Sequence, residues 1–473
     1  MRAGPLALAA LAVASAACGG GRPSPPPPPP DPIVSFTAEP PFVEPGGTST
    51  LRPVFAAGVG RIQGPGATPV PVVSGGSYPI GPLAQATPFR LLVVLDGVEH
   101  STELRVPLRY RERIASVTPG DARTRAGSVT LSDGRILVVG GSSSGSVFWD
   151  TSEVYDPATG AFSQAGKLPA ATGGADVGRA ASPLVPLPGS AALMLGGEIN
   201  LSDFEAATRV ERWTPAPPGG PAGAPAGSWA TAGNLVCNRN CHTATPLDGG
   251  RVLVAGGLAF GGSALDRDAE IFVPGTGSRQ PTGGEMVTRR WGHTATRLDD
   301  GRVLLAGGVA AGTGEATAAA ELFDPVAETF TATGAMADAR AYHAAALLDD
   351  GRVLVVGGDN ATAGIIGSAE IYDPGTGGWT RAAGGLAVAR TDVVALRLGS
   401  GEVMVAGGLA EGTSATGSIE LFQPGTRTFR TAAAPLPAAR TGHRTHLLPD
   451  ARVLLVGGDP GGGFPVATAT IFD

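Results

Sequence analysis

The stretch Asp350-Gly-Arg-Val-Leu-Val-Val-Gly-Gly358 decides the fold of this chain of 473 residues. An Asp-Gly turn leads into a short apolar run that is rich in valine, and a pair of glycines ends the run. Related stretches recur, with double glycines that begin at Gly140, Gly196, Gly256, Gly307, Gly357, Gly407 and Gly457. The last four intervals measure 51, 50, 50 and 50 residues. Such a period predicts a repeat architecture built from short strands.

One repeat unit contains four predicted strands. They cover residues 342–348, 352–356 and 368–372, and the fourth begins at Trp379. Tight turns with Asp-Gly and Asp-Pro-Gly sequences separate the first from the second and the third from the fourth. The second strand is apolar throughout, which predicts burial on both of its faces.

Composition separates this chain from several classes of protein. It has 73 glycines and 42 prolines, but the glycines recur in register with apolar runs, so turns of an all-β protein explain them. Charged residues make up 16% and the formal net charge is −7. A nucleic-acid-binding domain needs a basic surface, so no nucleic-acid partner is expected.

Residues 1–17 are predicted to be an export signal. A short basic start precedes an apolar run at 6–17, which is too short to cross a bilayer. The run ends in small residues directly before Cys18, an arrangement that resembles the lipobox of bacterial lipoproteins. This resemblance implies that Cys18 is lipidated and anchors an exported protein in the bacterial cell envelope, with the outer membrane as the expected location. The alternative is an ordinary secretory signal.

Two regions are predicted to follow the signal. Residues 18–32 contain six consecutive prolines and are predicted to form a semi-rigid linker. Residues 33–110 alternate polar and apolar positions and contain a hairpin signal at Asp96-Gly97. This region resembles the immunoglobulin-like β-sandwiches of bacterial surface proteins, although it lacks the Cys…Trp…Cys pattern.

Residues 111–473 resemble kelch repeats, the four-stranded blades of a β-propeller. The family pattern is a double glycine, then Glu-x-aromatic-Asp-Pro, then another aromatic residue. Three units carry it in full, at Glu153–Pro157 with Phe162, Glu321–Pro325 with Phe330, and Glu370–Pro374 with Trp379. The expected fold class is therefore all-β, a seven-bladed kelch-type β-propeller preceded by a small immunoglobulin-like sandwich. Because the seventh unit ends after its third strand, residues 112–118 are predicted to supply the fourth.

Two columns of residues align at fixed distances before the double glycines. An arginine precedes each by seventeen positions: Arg123, Arg179, Arg239, Arg290, Arg340, Arg390 and Arg440. We call these seven the arginine ladder. They are expected either to pair with the repeat glutamate inside the blades or to bind an anionic or polyhydroxylated ligand at the channel mouth.

The second column holds histidine in four units: His242, His293, His343 and His443. Equivalent side chains on different blades diverge around a channel, so no metal site is expected. No cofactor is expected either, since the sequence lacks a nucleophile elbow and a phosphate loop.

Cys237 and Cys241 form a close pair in a chain predicted to be exported. A disulfide between them is the favoured interpretation, and a metal cluster with His242 is the alternative.

The long connections after the double glycines are predicted to form the functional face, because variable loops on a rigid scaffold concentrate binding sites. They offer Trp149, Phe204 and Phe260 as ligand contacts. The expected function is non-catalytic binding or scaffolding for a protein or glycan partner, by a monomer held at the membrane through its lipid anchor. The alternative is a sugar-active kelch enzyme, epimerase-like or copper-oxidase-like, with its site at the propeller channel.

Overall fold

The computed structural model describes most of the chain after the predicted linker. The described residues are 32–39, 48–65, 67–80, 83, 87–106, 114–117, 120–143, 147–170, 178–200, 205–206, 208–217, 219, 223–259, 269–461, 465–466 and 468–472. This part of the chain is all-β and consists of small antiparallel sheets, consistent with a β-propeller. It contains no helix long and apolar enough to cross a membrane.

Two sheets form the region before residue 107. One contains Ile33–Glu39, Ser49–Phe55 and Tyr78–Ile80, and the other contains Val59–Gln63, Val70–Val72, Thr87–Leu95 and Val98–Val106. Alternate residues of Thr87–Leu95 are buried, as the period of two requires. Apolar side chains of both sheets, including Leu51 and Leu91, belong to one buried cluster. The predicted hairpin is present, with positive φ at Asp96 and Gly97.

Seven four-stranded sheets follow within described residues 114–472. We number them 1 to 7 in chain order and give their strands from the innermost outward. Sheet 1 contains Gly127–Thr130, Ile136–Val139, Thr151–Asp156 and Ala161–Lys167. Sheet 2 contains Leu184–Leu187, Ala191–Leu195, Arg209–Pro215 and Gly227–Asn234. Sheet 3 contains Thr243–Pro246, Val252–Ala255, Ala269–Val273 and Ser278–Pro281. Sheet 4 contains Thr294–Arg297, Val303–Ala306, Ala320–Asp324 and Thr329–Ala332.

Sheets 5 to 7 repeat this order. Sheet 5 contains Ala344–Leu347, Val353–Val356, Ala369–Asp373 and Gly378–Arg381. Sheet 6 contains Val394–Arg397, Val403–Ala406, Ile419–Gln423 and Thr428–Thr431. Sheet 7 contains Arg444–Leu447, Val453–Val456, Ala469–Phe472 and, as its outermost strand, Ile114–Val117. The innermost strands contact one another in cyclic order, and that of sheet 7 contacts that of sheet 1.

Short elements complete the list. Four connections between the second and third strands carry small hairpins: Ser142–Ser143 with Val147–Phe148, Glu198–Asn200 with Glu205–Ala206, Val309–Ala310 with Glu315–Ala316, and Asp359–Asn360 with Gly364–Ile365. Arg290–Trp291 adds a strand to the third hairpin. Single 3-10 turns lie at Pro188–Ser190, Asp248–Gly250 and Glu411–Thr413.

Two predictions about the sheets are confirmed. The second strand of every sheet is buried at all of its positions, because each sheet packs between two neighbours. The closing strand also lies where the sequence places it: Ile114 pairs with Phe472, and Val117 pairs with Ala469. This pairing covers the outer edge of Ala469–Phe472, which would otherwise be open.

The arginine ladder lies inside the sheets. All seven side chains are between 0 and 2% exposed. Six of them contact the glutamate of their own repeat: Arg123–Glu153 at 3.2 Å, Arg179–Glu211 at 2.9 Å, Arg239–Glu270 at 2.8 Å, Arg290–Glu321 at 2.9 Å, Arg340–Glu370 at 3.0 Å and Arg390–Glu420 at 2.5 Å. The ladder therefore takes the first of its two expected roles, pairing inside the sheets, and the ligand-binding role gains no support, because six of the guanidinium groups face buried carboxylates and that of Arg440 faces Thr470.

Each contact joins three parts of one repeat. Arg340 donates to the Gly357 carbonyl at 2.8 Å, and five other ladder arginines donate to the equivalent glycine. Glu370 also accepts the backbone N–H groups of Ala337 at 2.7 Å and Asp338 at 3.1 Å. The entering segment, the double glycine and the third strand are thereby held together.

Sheet 7 is the exception. Arg440 is 0% exposed, but its partner at the glutamate position is Thr470, whose hydroxyl accepts from the guanidinium at 3.2 Å. Burial lowers the pKa of Arg440 to about 10.

Glu370→Thr copies the arginine–threonine pair of sheet 7 into sheet 5. We expect the free energy of unfolding to fall by about 3–5 kcal/mol, because Arg340 and two backbone N–H groups lose their buried carboxylate. Chemical denaturation measures this change, and Glu315→Thr, on an exposed hairpin, is the control. Equal stability of Glu370→Thr and the unaltered protein would contradict the structural role of the pair.

Candidate functional site

A pocket of about 450 Å³ lies where the seven sheets converge. Every sheet contributes to its lining through the segment that leads into its innermost strand, and Asp359 and Leu409 add residues that follow two of the double glycines. We call it the central pocket. Its volume falls within the range typical of small-molecule sites.

The pocket is framed by one residue from each repeat, two positions after the ladder arginine. These residues are Arg125, Ala181, Cys241, Gly292, Tyr342, Asp392 and Gly442, and we call them the central ring. All seven have positive φ, between 48° and 63°. Such a backbone conformation is unfavourable for residues other than glycine, so the surrounding structure must hold it in place.

Backbone hydrogen bonds connect the central ring from sheet to sheet. The N–H of Arg125 donates to the Gly442 carbonyl at 2.8 Å, and that of Ala181 donates to the Arg125 carbonyl at 2.8 Å. Gly292, Tyr342 and Asp392 each donate in the same way to the preceding ring residue, at 3.1, 3.0 and 3.0 Å. The backbone of the ring is thus nearly constant, while its residue types range from glycine, at two positions, to arginine, tyrosine and aspartate.

Three of the charged groups that line the pocket have defined side-chain partners or fixed carboxylates. Arg125 contacts Glu198 at 2.7 Å. Asp392 accepts the N–H of Gly442 at 3.1 Å and also the Thr441 hydroxyl. Asp359 accepts the Thr391 hydroxyl at 3.1 Å. These contacts fix the carboxylates at the wall of the pocket.

Tyr342 and Cys241 give the pocket its less polar surface. Tyr342 is 40% exposed, and burial of the rest of its ring raises its pKa. Burial, followed by the charge of Glu198, raises the pKa of Cys241 to about 11. The thiol is therefore protonated at neutral pH and is a poor nucleophile.

The central ring was not predicted from the sequence. In the sequence, its members form a column of unlike residues between the arginine and the histidine columns. A column without a common residue type gives no indication of its backbone conformation, so only the structure reveals the ring.

A larger cavity of about 650 Å³ lies on the opposite face, between the turns of sheets 5 and 6. Its charged lining includes Asp349 and Glu402, which pair with Arg397 at 2.7 Å and Arg430 at 3.2 Å. Only two sheets line it, and their turns are tight. The central pocket is the better candidate because all seven sheets bring differing side chains to it.

The histidine column lies directly behind the ring. His293 and His343 each contact a threonine of the preceding sheet through Nε2, at 3.1 Å from Thr243 and 3.0 Å from Thr294. Burial lowers the pKa of His242, His343 and His443 to about 3 from an ordinary value of 6.5. These imidazoles are neutral in the folded protein at physiological pH.

The buried histidine column makes the free energy of unfolding depend on pH. Below pH 6.5 the histidines of the unfolded chain bind protons, whereas those of the folded protein stay neutral down to about pH 3. The free energy of unfolding therefore falls with decreasing pH across this window, by about 1.4 kcal/mol per pH unit for each histidine.

His443→Val tests this dependence. Val393 occupies the same position in sheet 6, so the substitution fits the repeat, and neither ring nitrogen of His443 has a hydrogen-bond partner among the described residues. Between pH 7 and pH 5, the variant should lose about 2 kcal/mol less unfolding free energy than the unaltered protein. Denaturant titrations at the two pH values measure the difference. Equal losses would show that His443 is not neutral in the folded state.

The predicted loop contacts fall into two groups. Trp149 is half-buried, and its indole N–H donates to the Ala122 carbonyl at 3.1 Å, so it also fixes its own loop. Its role in ligand binding stays a prediction. Phe204, Phe260 and the lipidation site Cys18 lie outside the described residues.

The predicted disulfide is absent: Cys237 and Cys241 are not bonded to each other. The two cysteines lie in differently held parts of the segment that carries them. Glu270 accepts the N–H of Val236 at 2.9 Å and the guanidinium of Arg239 at 2.8 Å, which fixes the chain on both sides of Cys237. Cys241 lies beyond this anchor, in the central ring. The sequence shows the short spacing but not this anchor.

Alkylation in denaturant without reductant should therefore modify both thiols. Trypsin cleaves after Arg239 and separates them, so mass spectrometry reads each one independently. We expect each peptide in its alkylated form. Recovery of the two peptides joined by a disulfide would restore the sequence prediction.

Comparisons with known proteins support the fold. A family model described as Kelch motif matches residues 340–384, which begin at a ladder arginine and span sheet 5. A search of curated proteins finds no match. Among solved structures, a fungal alcohol oxidase of the AA5 family in complex with copper is similar, with a TM-score of 0.58, 16% identity, and coverage of 76% of this chain and 75% of that chain. Such identity shows the fold alone, so the chain carries a Kelch motif within an all-β fold of the propeller type.

Proposed function

We propose that this protein is a seven-bladed kelch β-propeller, preceded by an immunoglobulin-like sandwich, that acts as a non-catalytic binding module for a glycan or protein partner. The proposal includes export, lipid attachment at Cys18 and location in the bacterial cell envelope. The domains are a signal at 1–17, a linker at 18–32, a sandwich at 33–110 and a propeller at 111–473.

The central ring is the observation that carries the proposal. It holds one backbone geometry at seven equivalent places and fills them with arginine, alanine, cysteine, glycine, tyrosine, aspartate and glycine. A rigid frame with unlike side chains is the arrangement by which one scaffold presents a specific binding surface. A catalytic constellation would instead require groups with matched roles at a single point.

The long connections extend this surface. The residue after the ladder arginine forms a β-bridge with the residue after the double glycine in six repeats: Thr124 with Ser142, Ala180 with Glu198, Asn240 with Leu258, Ala341 with Asp359, Thr391 with Leu409, and Thr441 with Asp459. The loops therefore begin beside the central ring. A partner seated on the ring would meet them as well.

A sugar-active enzyme is the alternative, and its copper-dependent form can be tested against the residues present. Cys241 and Tyr342 line one pocket. However, His293 and His343 use Nε2 for threonine contacts, and no group of three or more histidine, cysteine, aspartate or glutamate side chains in the described chain is arranged to hold a metal ion. The described residues therefore do not fit a copper centre.

Tyr342→Gly tests the site. Glycine occupies the equivalent ring positions 292 and 442 with the same backbone geometry, so the variant removes the aromatic surface without new strain. A glycan array and capture from envelope extract identify ligands of the full chain. We expect Tyr342→Gly to weaken their binding by roughly tenfold or more.

Val326→Gly is the matched control, since Val326 is 92% exposed in a turn on the opposite face. It should bind like the unaltered protein. Equal loss in both variants would place the binding surface elsewhere. Turnover of a bound sugar would favour the enzyme alternative.

A further inference from the structure

Arg444 stands out among equivalent positions of the innermost strands. It is the first residue of its strand, four positions after the ladder arginine. The other sheets place small or apolar residues there: Gly127, Pro183, Thr243, Thr294, Ala344 and Val394. One long cationic side chain therefore lines the central pocket from a layer just below the ring.

Arg444 differs from Arg125, the other cation that lines the pocket, in lacking a carboxylate partner. Glu198 is held by Arg125, Asp359 by Thr391, and Asp392 by Thr441 and Gly442. No described carboxylate lies within ion-pair distance of Arg444. Within the described structure its guanidinium makes one hydrogen bond, from Nη1 to the neighbouring His443 carbonyl at 3.2 Å.

Guanidinium carries five N–H donors in a planar fork that matches a carboxylate. Arg444 is half-buried, so its charge is only partly solvated. Burial lowers the pKa of Arg444 and the charge of Arg125 adds to this, while Asp392 opposes it. An anion received from outside would compensate this cation more directly than any described side chain does.

We infer that the central pocket binds a carboxylated sugar of the uronic acid class, with the carboxylate on the guanidinium of Arg444. This inference rests on the proposed binding function and names its ligand class. The carboxylate forms a bidentate contact that neutral sugars cannot make.

The remaining lining suits the rest of such a ligand. Asp359 and Asp392 present carboxylate oxygens that can accept hydrogen bonds from sugar hydroxyls. Tyr342 offers an exposed aromatic face for the apolar side of the ring. The volume of about 450 Å³ accommodates one or two sugar units.

Titration calorimetry with the full chain tests the inference. The probes are glucuronate and galacturonate, their neutral counterparts glucose and galactose, and inorganic phosphate. Arg444→Thr is the variant, because Thr243 and Thr294 hold this position in sheets 3 and 4, and its melting temperature verifies folding. Arg397→Thr is the control, since Arg397 pairs with Asp349 on the opposite face.

The unaltered protein should bind at least one uronate more tightly than its neutral counterpart and more tightly than phosphate. Arg444→Thr should weaken uronate binding by about tenfold or more, and Arg397→Thr should leave it unchanged. Binding that is equal in Arg444→Thr and the unaltered protein, or no uronate binding by the unaltered protein, would overturn the inference. So would phosphate binding as tight as that of the uronate.

These outcomes are separate from those of the proposed function. Loss of ligand capture in Tyr342→Gly without any uronate binding would retain the binding module and reject the ligand class. Uronate binding that resists both Tyr342→Gly and Arg444→Thr would reject the central pocket itself.

Discussion

The buried contact between arginine and glutamate is the interaction on which each repeat depends. Two opposite charges removed from water cost less together than either does alone, but only when their remaining donors and acceptors are used. Glu370 meets this condition by accepting two backbone N–H groups as well as Arg340. The contact therefore specifies how the chain enters a sheet. A mispaired repeat would leave a buried charge without its partner.

Sheet 7 shows how this constraint changes when one partner is absent. The position that supplies a backbone N–H to the glutamate, Ala337 in sheet 5, is Pro437 in sheet 7. Proline has no N–H to donate. A glutamate at position 470 would lack this backbone partner, and threonine there presents only a neutral hydroxyl to Arg440. The two departures from the repeat are thus physically consistent with each other.

The sequence predicted the features that recur and missed those that vary. The period, the buried second strands and the outermost strand of sheet 7 follow from spacing and hydrophobicity, which act in every repeat. The role of the arginine ladder was left open between pairing with the repeat glutamate and ligand binding, because spacing shows that residues are equivalent but not which way they point. The central ring was overlooked for the opposite reason. Its members share a backbone conformation, and Tyr342 and Cys241 give no sign of it in their chemistry. The disulfide prediction rested on short spacing and predicted export, and the structure leaves the two thiols unbonded to each other.

The outermost strand of sheet 7 has a consequence for how the molecule is made. Ile114–Val117 emerges from the ribosome before any other strand of the seven sheets, yet its partner Ala469–Phe472 is synthesised after all the others. Until then, the early strand has an unsatisfied edge and the ring of sheets stays open, so ring closure awaits the synthesis of Ala469–Phe472. A late, long-range closure of this kind pairs strands more than 350 positions apart, and such non-local pairing is slow and leaves partly formed sheets open to misassembly while it is awaited.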